Sequence, residues 1–155
     1  MAGQSESRAD VLTAPYSLQY SFTRSTGKVI GRFLAALREK RILGVRMAGG
    51  GVMVPPQEYD PLSSDALDEL VEVGQSGEVV TWSWVQEPLP EHPLDRPFAW
   101  ALVRLDGADT SMLHAVEVDH EGLMRSGMRV TVSWRDEPKG FITDIRCFVE
   151  ESGDV

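Results

Sequence analysis

The sequence predicts a mainly β protein, in which one helix and a turn-rich segment precede a five-stranded closed barrel. Three observations indicate this class. Five segments in the C-terminal half carry an apolar residue at every second position, glycines interrupt or separate them, and one segment near the N-terminus has helical periodicity. Short strands so close together in sequence are typical of a small closed barrel.

Residues 1–27 are predicted to form an extended N-terminal arm. The segment is polar, is rich in serine and threonine, and carries Tyr16, Tyr20 and Phe22 at spacings that fit a strand better than a helix. Contiguous apolar patches are seldom left exposed on a monomer. We therefore expect these aromatic side chains to be covered, either by the rest of the chain or by a partner.

One helix is predicted in the segment GKVIGRFLAALREKR, residues 27–41. Apolar residues at i, i+3, i+4 and i+7 share one helical face, namely Ile30, Phe33, Leu34 and Leu37. Ser25 or Thr26 is expected to cap the N-terminus of this helix, and Gly44 is expected to end it.

The following segment, RMAGGGVMVPPQEYDPLSSD (residues 46–65), is predicted to form two turns around a short VMV strand. Its glycines and prolines exclude a regular helix and favour chain reversals. Two tight turns that face one another are the layout of a small metal-binding knuckle, although the segment contains neither cysteine nor histidine. The helix and these turns form the predicted unit 28–68.

The barrel is predicted to occupy residues 69–151. Its five strands are assigned to residues 69–86 (bent at Gly74 to Gly77), 97–107, 111–118, 127–137 and 141–151. Glycine adopts strained backbone angles without steric cost, so the glycines at the joints supply the bends that a small barrel needs. Five strands joined in this way resemble an OB-fold.

The charge is unevenly distributed along the chain. The formal net charge is -9, yet residues 24–46 contain seven basic residues and Glu39 as their one acidic residue, whereas residues 47–155 contain seven basic and 21 acidic residues. The basic segment is expected to dock on the chain's own acidic part, with attraction of an anionic partner as the alternative. The overall charge argues against nucleic-acid binding, which depends on basic residues that neutralise phosphates.

The sequence is expected to be that of a cytoplasmic, soluble protein. The first twenty residues lack the apolar core of a secretion signal, and no apolar run approaches the roughly 18 residues needed to span a bilayer. Cys147 has no second cysteine to pair with in its own chain, which fits a reducing compartment or a buried thiol.

No enzyme active site is predicted. His92, His114 and His120 have no spacing that matches a metal pair or a nucleophile–base motif, and Cys147 has no histidine beside it in sequence. The segment AGGGV, residues 48–52, lacks the lysine and hydroxyl residue of a phosphate-binding loop. The strand aromatics are expected mainly in the core, with ligand stacking or a protein interface as alternatives: Trp82, Trp84, Phe98, Trp100 and Trp134.

The order of the pieces resembles one known family. GRFLAALREKRILGVR, two turns around VPP, VEVGQSGEVVTWSWV, RPFAWALVRLDG and SGMRVTVSW follow one another as in the zinc-ribbon and OB-fold family associated with acyl-CoA metabolism, domain of unknown function 35 (DUF35). The resemblance covers residues 28–151. In that family two Cys-x-x-Cys pairs bind zinc, and the matching positions here are Met47, Gly50, Asp60 and Ser63.

This set of residues cannot form a zinc site. Structural zinc requires four good donors in tetrahedral geometry, and one carboxylate with one hydroxyl does not supply them. We therefore expect a metal-free ribbon without zinc or another cofactor. Burial of Met47, Val52, Met53, Val54, Tyr59 and Leu62 is expected to replace the stabilisation that zinc would give.

The resemblance implies a non-catalytic accessory subunit that forms a hetero-oligomer with an enzyme of the thiolase superfamily. Such enzymes include thiolases, acyltransferases and the lipid-transfer-type aldolases that cleave steroid side chains. The arm aromatics and a helix face are expected to bind the partner, through Tyr16, Tyr20, Phe22, Phe33 and Leu37. Contacts with CoA phosphates near the interface, or with acidic partner residues, are expected from Arg38, Lys40, Arg41 and Arg46.

Two other functions remain open from the sequence. A stand-alone OB module could bind single-stranded nucleic acid or a small ligand, which the barrel aromatics favour and the acidic charge opposes for nucleic acid. An independent thioester enzyme would have to use His114, His120 and Asp119 as its acid–base residues.

Overall fold

The structure, a computed structural model, describes residues 14–152. The elements are α1 (Lys28–Arg38), β1 (Leu43–Arg46), β2 (Val52–Met53), β3 (Leu70–Glu72), β4 (Ser76–Val85), β5 (Phe98–Leu105), β6 (Met112–Glu117), β7 (Arg129–Trp134) and β8 (Ile145–Glu150). Short 3-10 turns at Glu121–Leu123 and Ile142–Asp144 precede β7 and β8. The predicted class, mainly β with an N-terminal helix and a five-stranded OB-type barrel, is confirmed.

The barrel closes in the strand order β4-β5-β6-β8-β7. The β6–β8 pair is parallel, and the other pairs are antiparallel. Gly77 lies where β4 crosses closely over β5, and a Cβ at this position would collide with the carbonyl oxygen of Arg104. The close pairing of β4 with β5 at this point therefore requires the absence of a side chain at residue 77.

The predicted strand 69–86 is wrong as a single strand. Its first part, β3, pairs with β1 through Leu43 and Glu72, and only β4 enters the barrel. The chain changes sheet at Gly74 and Gln75, which lie outside both strands. β3 thus lies within the predicted barrel range 69–151 but pairs with β1. β1 belongs to the chain between the helix and the predicted barrel, residues 43–68, here called the ribbon segment.

A three-stranded antiparallel sheet in the order β2-β1-β3, here called the ribbon sheet, follows the helix. Gly44 lies inside β1 and does not end the helix as predicted. A Cβ there would press on the side chains of Val52 and Val54, so the glycine permits close approach of β2. The helix ends earlier, where Lys40 adopts a left-handed φ of 57°.

The predicted N-terminal cap of α1 is also wrong. Gly27 occupies the cap position with a φ of 86°, and neither Ser25 nor Thr26 caps the helix. Oε1 of Glu58, which is 28 and 29 residues away, accepts hydrogen bonds from the backbone N–H groups of Ile30 (2.9 Å) and Val29 (2.8 Å). A side chain from the ribbon segment thus satisfies the free donors of the helix.

The helix, the ribbon sheet and the barrel share one apolar core. Its members come from all three parts, for example Phe33 and Leu37 of α1, Val54 after β2, and Val79 and Phe148 of the barrel. A smaller cluster of Val29, Val45, Met53 and Leu67 joins the helix to the ribbon sheet. The ribbon segment is therefore held by apolar packing on both sides.

Residues 14–27, the described part of the predicted arm, have no regular secondary structure and are exposed. The rest of the predicted arm, residues 1–13, lies outside the described residues. Within residues 14–152 there is no helix whose length and apolar character would let it cross a bilayer.

Candidate functional site

The arm presents a row of exposed apolar side chains. Tyr16, Tyr20 and Phe22 are 84%, 76% and 77% exposed, and Leu18 between them is 58% exposed. The four side chains occupy every second residue, and the intervening positions are Ser17, Gln19 and Ser21. In an extended chain this alternation places all four on one side. The sequence analysis missed Leu18, although the same period of two identifies it.

Phe33 and Leu37 do not lie on a partner-binding surface, and this part of the prediction is wrong. Both side chains are buried, and both pack in the core that α1 shares with the barrel. The amphipathic face of the helix was correctly recognised, but its apolar side is covered by the chain itself. A surface helix usually directs its apolar stripe toward its own core, which explains the outcome.

The basic segment is partly paired with the chain's own carboxylates, as expected. Arg41, just after the helix, binds Glu72 of β3 at 2.7 Å. Arg46 of β1 binds Glu69, the residue before β3, at 2.8 Å. Arg38 donates to the carbonyl oxygen of Lys139 at 3.1 Å. The ammonium of Lys40 enters no ion pair within residues 14–152.

The four positions that the family resemblance matches to zinc ligands lie on two turns of the ribbon segment. Met47 and Gly50 belong to the first turn (residues 47–51), which is closed by hydrogen bonds from Met47 N to Gly51 O (3.1 Å) and from Gly50 N to Met47 O (3.0 Å). Asp60 and Ser63 belong to the second turn (residues 60–65), closed by a bond from Asp60 N to Asp65 O at 2.8 Å.

The carboxylate of Asp60 joins these two turns. Oδ1 accepts hydrogen bonds from the backbone N–H groups of Leu62 (2.8 Å) and Ser63 (3.1 Å), and Oδ2 accepts one from Ala48 in the first turn (2.9 Å). Although it is charged, Asp60 is only 4% exposed. The bonds from Leu62, Ala48 and Ser63 hold the pKa of this carboxyl below its usual value.

The residues of these two turns do not fit a metal ion. They offer a thioether at Met47, no side chain at Gly50, a hydroxyl at Ser63, and a carboxylate at Asp60 that already accepts three hydrogen bonds. Gly50 has a φ of 88°, where a cysteine would be strained. No group of three or more potential ligands of the His, Cys, Asp or Glu type is found within residues 14–152.

The apolar residues expected to replace zinc behave in two ways. Val52, Met53 and Val54 are buried as expected, and Met47 is half-buried and packs against the smaller apolar cluster. Tyr59, just before the second turn, and Leu62 within it are exposed instead, Leu62 at 95%. These two side chains are therefore further exposed apolar groups outside the core.

A groove crosses one face of the barrel. Three adjoining depressions of about 770, 540 and 530 Å³ share the side chains of Arg135 and Arg146. Loop residues 88–95 and 135–144 and the strands β5, β6, β7 and β8 border the groove. The 530 Å³ depression is the most apolar part, lined among others by Trp100, Leu113, His114, Ile142 and Ile145. OB-folds commonly bind ligands on this face of the barrel.

The strand aromatics divide between core and groove. Phe98 is buried, while Trp82, Trp84 and Trp134 pack partly against the main core, and Trp134 also lines the 770 Å³ depression of the groove. Trp100 lines the groove and contacts Phe98 edge to face, with ring centroids 5.2 Å apart. The ring of His92 stacks edge to face on both, so the loop before β5 is anchored over them.

The three residues considered for an independent thioester enzyme, His114, His120 and Asp119, do not lie at one depression. His114 is buried against Phe148, and this burial lowers its pKa, against the opposing effect of backbone groups at Ala115 and Ile142. Burial raises the pKa of the Cys147 thiol to about 11, so it is neither a thiolate nor accessible. His120 and Asp119 lie at a different, exposed depression with Trp84 and Gln86.

The architecture is that of a helix and a ribbon sheet fused to an OB barrel, and comparisons with known proteins agree. Residues 70–135 match the family model of the ChsH2 C-terminal OB-fold domain. A DUF35 domain-containing scaffold protein of Pyrococcus furiosus is 25% identical over 107 residues, which are 68% of this chain and 78% of that protein.

Two solved structures share the fold. An Ltp2–ChsH2(DUF35) aldolase has a TM-score of 0.58 at 19% identity, covering 85% of this chain and 98% of that chain. A DUF35-family protein of unknown function from Sulfolobus solfataricus has a TM-score of 0.51 at 18% identity, covering 65% and 74%. The predicted resemblance to the DUF35 OB-fold family is confirmed by these matches, and the four positions that the resemblance matches to zinc-binding cysteines hold other residues.

Proposed function

We propose that this protein is a non-catalytic accessory subunit that binds and stabilises an enzyme of the thiolase superfamily acting on acyl-CoA. The partner would be a thiolase, an acyltransferase or a lipid-transfer-type aldolase, the last of these acting in steroid side-chain degradation. The proposal is supported by one relative that is named a scaffold protein and by the shared fold of an aldolase complex that contains a DUF35 chain.

The observation that carries the proposal is the exposed row of the arm. Tyr16, Leu18, Tyr20 and Phe22 project large apolar side chains into solvent without regular structure of their own. Tyrosine and phenylalanine are favoured anchors of protein interfaces, and an extended segment can pair with a strand edge of another protein. The proposed hetero-oligomer would bury this row, with Tyr59 and Leu62 as further contacts.

The proposed CoA contacts differ in how free the basic groups are. Arg41 and Arg46 are engaged by Glu72 and Glu69, whereas Arg38 and Lys40 are exposed at the end of α1. A phosphate would compete with carboxylates for the first two residues but not for Lys40. We therefore propose Lys40 and Arg38 as the first groups to meet an anionic ligand or an acidic partner surface.

The test is co-expression of the tagged chain with any thiolase-superfamily enzyme that is encoded beside its gene. The arm variant replaces Tyr16, Leu18, Tyr20 and Phe22 with serine. The matched control replaces Ser17, Gln19 and Ser21, on the other side of the same segment, with alanine. We expect the wild type and the control to co-elute with the enzyme and the arm variant to elute alone, with an unchanged melting temperature because the row contributes nothing to the core.

Two results would contradict the proposal. A wild-type chain that elutes as a monomer in the presence of each neighbouring enzyme would exclude the accessory role. Thioester hydrolysis by the isolated chain would exclude the non-catalytic role. If the arm variant still co-eluted with the enzyme, the accessory role would stand, but the arm would not be part of the interface.

A second candidate function is the binding of a small ligand in the barrel groove. The apolar depression of about 530 Å³ has the size and lining of a ligand pocket, and Leu113 and Ile142 in it are left exposed. Trp100 in its wall provides the test. Small apolar probes that bind there should change tryptophan emission in the wild type but not in Leu113→Glu, and unchanged emission in both would exclude this function.

A further inference from the structure

The two turns of the ribbon segment are joined by hydrogen bonds, although their residues do not form a metal-binding site. Each turn is closed by its own backbone hydrogen bonds, within residues 47–51 and within residues 60–65. These bonds shape each turn but do not connect one turn to the other. In a zinc ribbon the metal provides that connection, and its binding energy is also folding energy.

We infer that the side chain of Asp60 has taken over the structural role of the metal and makes the ribbon segment independent of metal ions and of thiol chemistry. One carboxylate oxygen accepts two N–H groups of the second turn, and the other oxygen accepts the N–H of Ala48 in the first turn. A single side chain therefore connects both turns.

The position and burial of Asp60 support this role. It occupies one of the four positions that the family resemblance matches to zinc ligands. It is almost fully buried while its neighbours Pro61 and Leu62 are exposed. A buried carboxylate is costly unless it is hydrogen-bonded, and bonds between a charged acceptor and backbone donors are among the stronger ones.

The first turn has adapted to the same arrangement. Gly50 and Gly51 have φ values of 88° and 79°, which glycine adopts without strain. In this backbone conformation the N–H of Ala48 reaches Asp60, whereas a cysteine at residue 50 would be strained. The segment has thus exchanged the metal-binding arrangement for a hydrogen-bonded one, and not only lost its ligands.

Hydrogen bonds that do not involve Asp60 attach β2 and Val54 to the loop between β5 and β6. Oδ2 of Asp109 accepts from Val52 N at 2.7 Å, and Oγ1 of Thr110 bonds to both Val54 N (2.8 Å) and Val54 O (3.0 Å). These bonds attach β2 to the barrel loop. They do not reach the second turn, so the loss of Asp60 should affect the two turns and spare the barrel.

The experiment measures amide hydrogen exchange residue by residue in the full chain. In Asp60→Asn the one side-chain oxygen that remains can still accept hydrogen bonds from the N–H groups of Leu62 and Ser63. The side-chain NH2 group then faces the N–H of Ala48, and two donors cannot form a hydrogen bond with each other. We expect exchange at Ala48 to rise about tenfold or more, with little change in β5 and β6. Asp60→Ala should raise exchange at Ala48, Leu62 and Ser63 together. Asp65→Asn, an exposed carboxylate of the same turn, is the matched control.

Metal analysis completes the test. The purified chain should hold no stoichiometric zinc, and its melting temperature should be the same with and without a chelator. Unchanged exchange at Ala48 in Asp60→Asn would overturn the inference, as would one bound metal equivalent that a chelator removes with loss of stability. This inference is independent of the proposed partner, and neither result affects the accessory role.

Discussion

Glu117 at the end of β6 is the most strongly engaged carboxylate of the barrel. Arg146 contacts both of its oxygens, with Nη2 at 2.7 Å from Oε2, and Arg96 binds Oε1 through its Nε at 2.8 Å. The side chain of Glu117 is only 10% exposed. Hydrogen bonding from Arg146 outweighs burial and, together with Arg96, lowers the pKa of Glu117 to about 2.

Replacement of Glu117 with glutamine should destabilise the protein in a pH-dependent way. At neutral pH the variant loses charge-assisted bonds to two arginines, and we expect a loss of about 2 kcal/mol in the free energy of unfolding. The folded pKa lies below the usual 4.5, so this stabilisation is complete above pH 4.5 and is lost as the pH falls toward 2. Denaturant unfolding between pH 7 and pH 3 measures the difference between wild type and variant.

The control for this prediction is Glu87→Gln in the exposed loop after β4, which should match the wild type at each pH. A difference between wild type and Glu117→Gln that stays constant from pH 7 to pH 3 would show that ionisation of Glu117 does not stabilise the fold.

At the scale of secondary-structure elements, side chains that are distant in sequence provide hydrogen bonds to the backbone that neighbouring residues do not. Glu58 supplies the N-terminal cap of α1, and Asp109 and Thr110 bind the backbone of β2 and Val54. The local candidates Ser25 and Thr26 were reasonable caps by residue type, but Gly27 turns the chain so that Glu58 reaches the helix instead. Tertiary contact therefore decided which oxygen caps the helix.

Removal of this cap should loosen the start of α1. Glu58→Ala leaves the N–H groups of Val29 and Ile30 without their acceptor, and we expect a loss of about 1 kcal/mol in stability. Amide exchange at these two residues should rise more than exchange in the barrel strands. Glu137→Gln, an exposed carboxylate outside the cap, should leave both quantities unchanged, and equal protection of Val29 in Glu58→Ala and wild type would refute the capping role.

At the scale of the whole molecule, the charge distribution decides between binding partners. Part of the basic segment is neutralised by the acidic part of the chain, through Lys28 with Asp68, Arg41 with Glu72 and Arg46 with Glu69. The chain as a whole carries a net charge of -9, and the groove, which contains Arg135 and Arg146, is apolar in its part of about 530 Å³. The net charge repels a polyanion, whereas a protein or a small apolar ligand is not repelled by it.

We therefore expect no measurable binding of single-stranded DNA. Fluorescence anisotropy of a labelled oligothymidine at low salt should stay flat on addition of the chain, because low salt maximises any phosphate contribution. A saturable rise in anisotropy that salt abolishes would restore the nucleic-acid alternative that the barrel aromatics leave open.

The sequence by itself determined the class of fold. Alternation of apolar residues located the five barrel strands, although it joined β3 to the first of them, and the period of the helix located α1. These features depend on local geometry, in which side-chain direction follows directly from residue spacing. The same period of two also marked the arm aromatics, and the absence of cysteine and histidine in residues 46–65 indicated a ribbon without the usual zinc ligands.

The tertiary structure decided everything that depends on which surfaces meet. It buried Phe33 and Leu37, separated β3 from β4 into two sheets, exposed Leu62, and brought Glu58 to α1 and Asp60 to Ala48. Periodicity shows that a face is apolar but not what covers it, and residue type shows that a carboxylate can accept hydrogen bonds but not from which donors. Those assignments require the distances between residues far apart in sequence, which only the folded chain fixes.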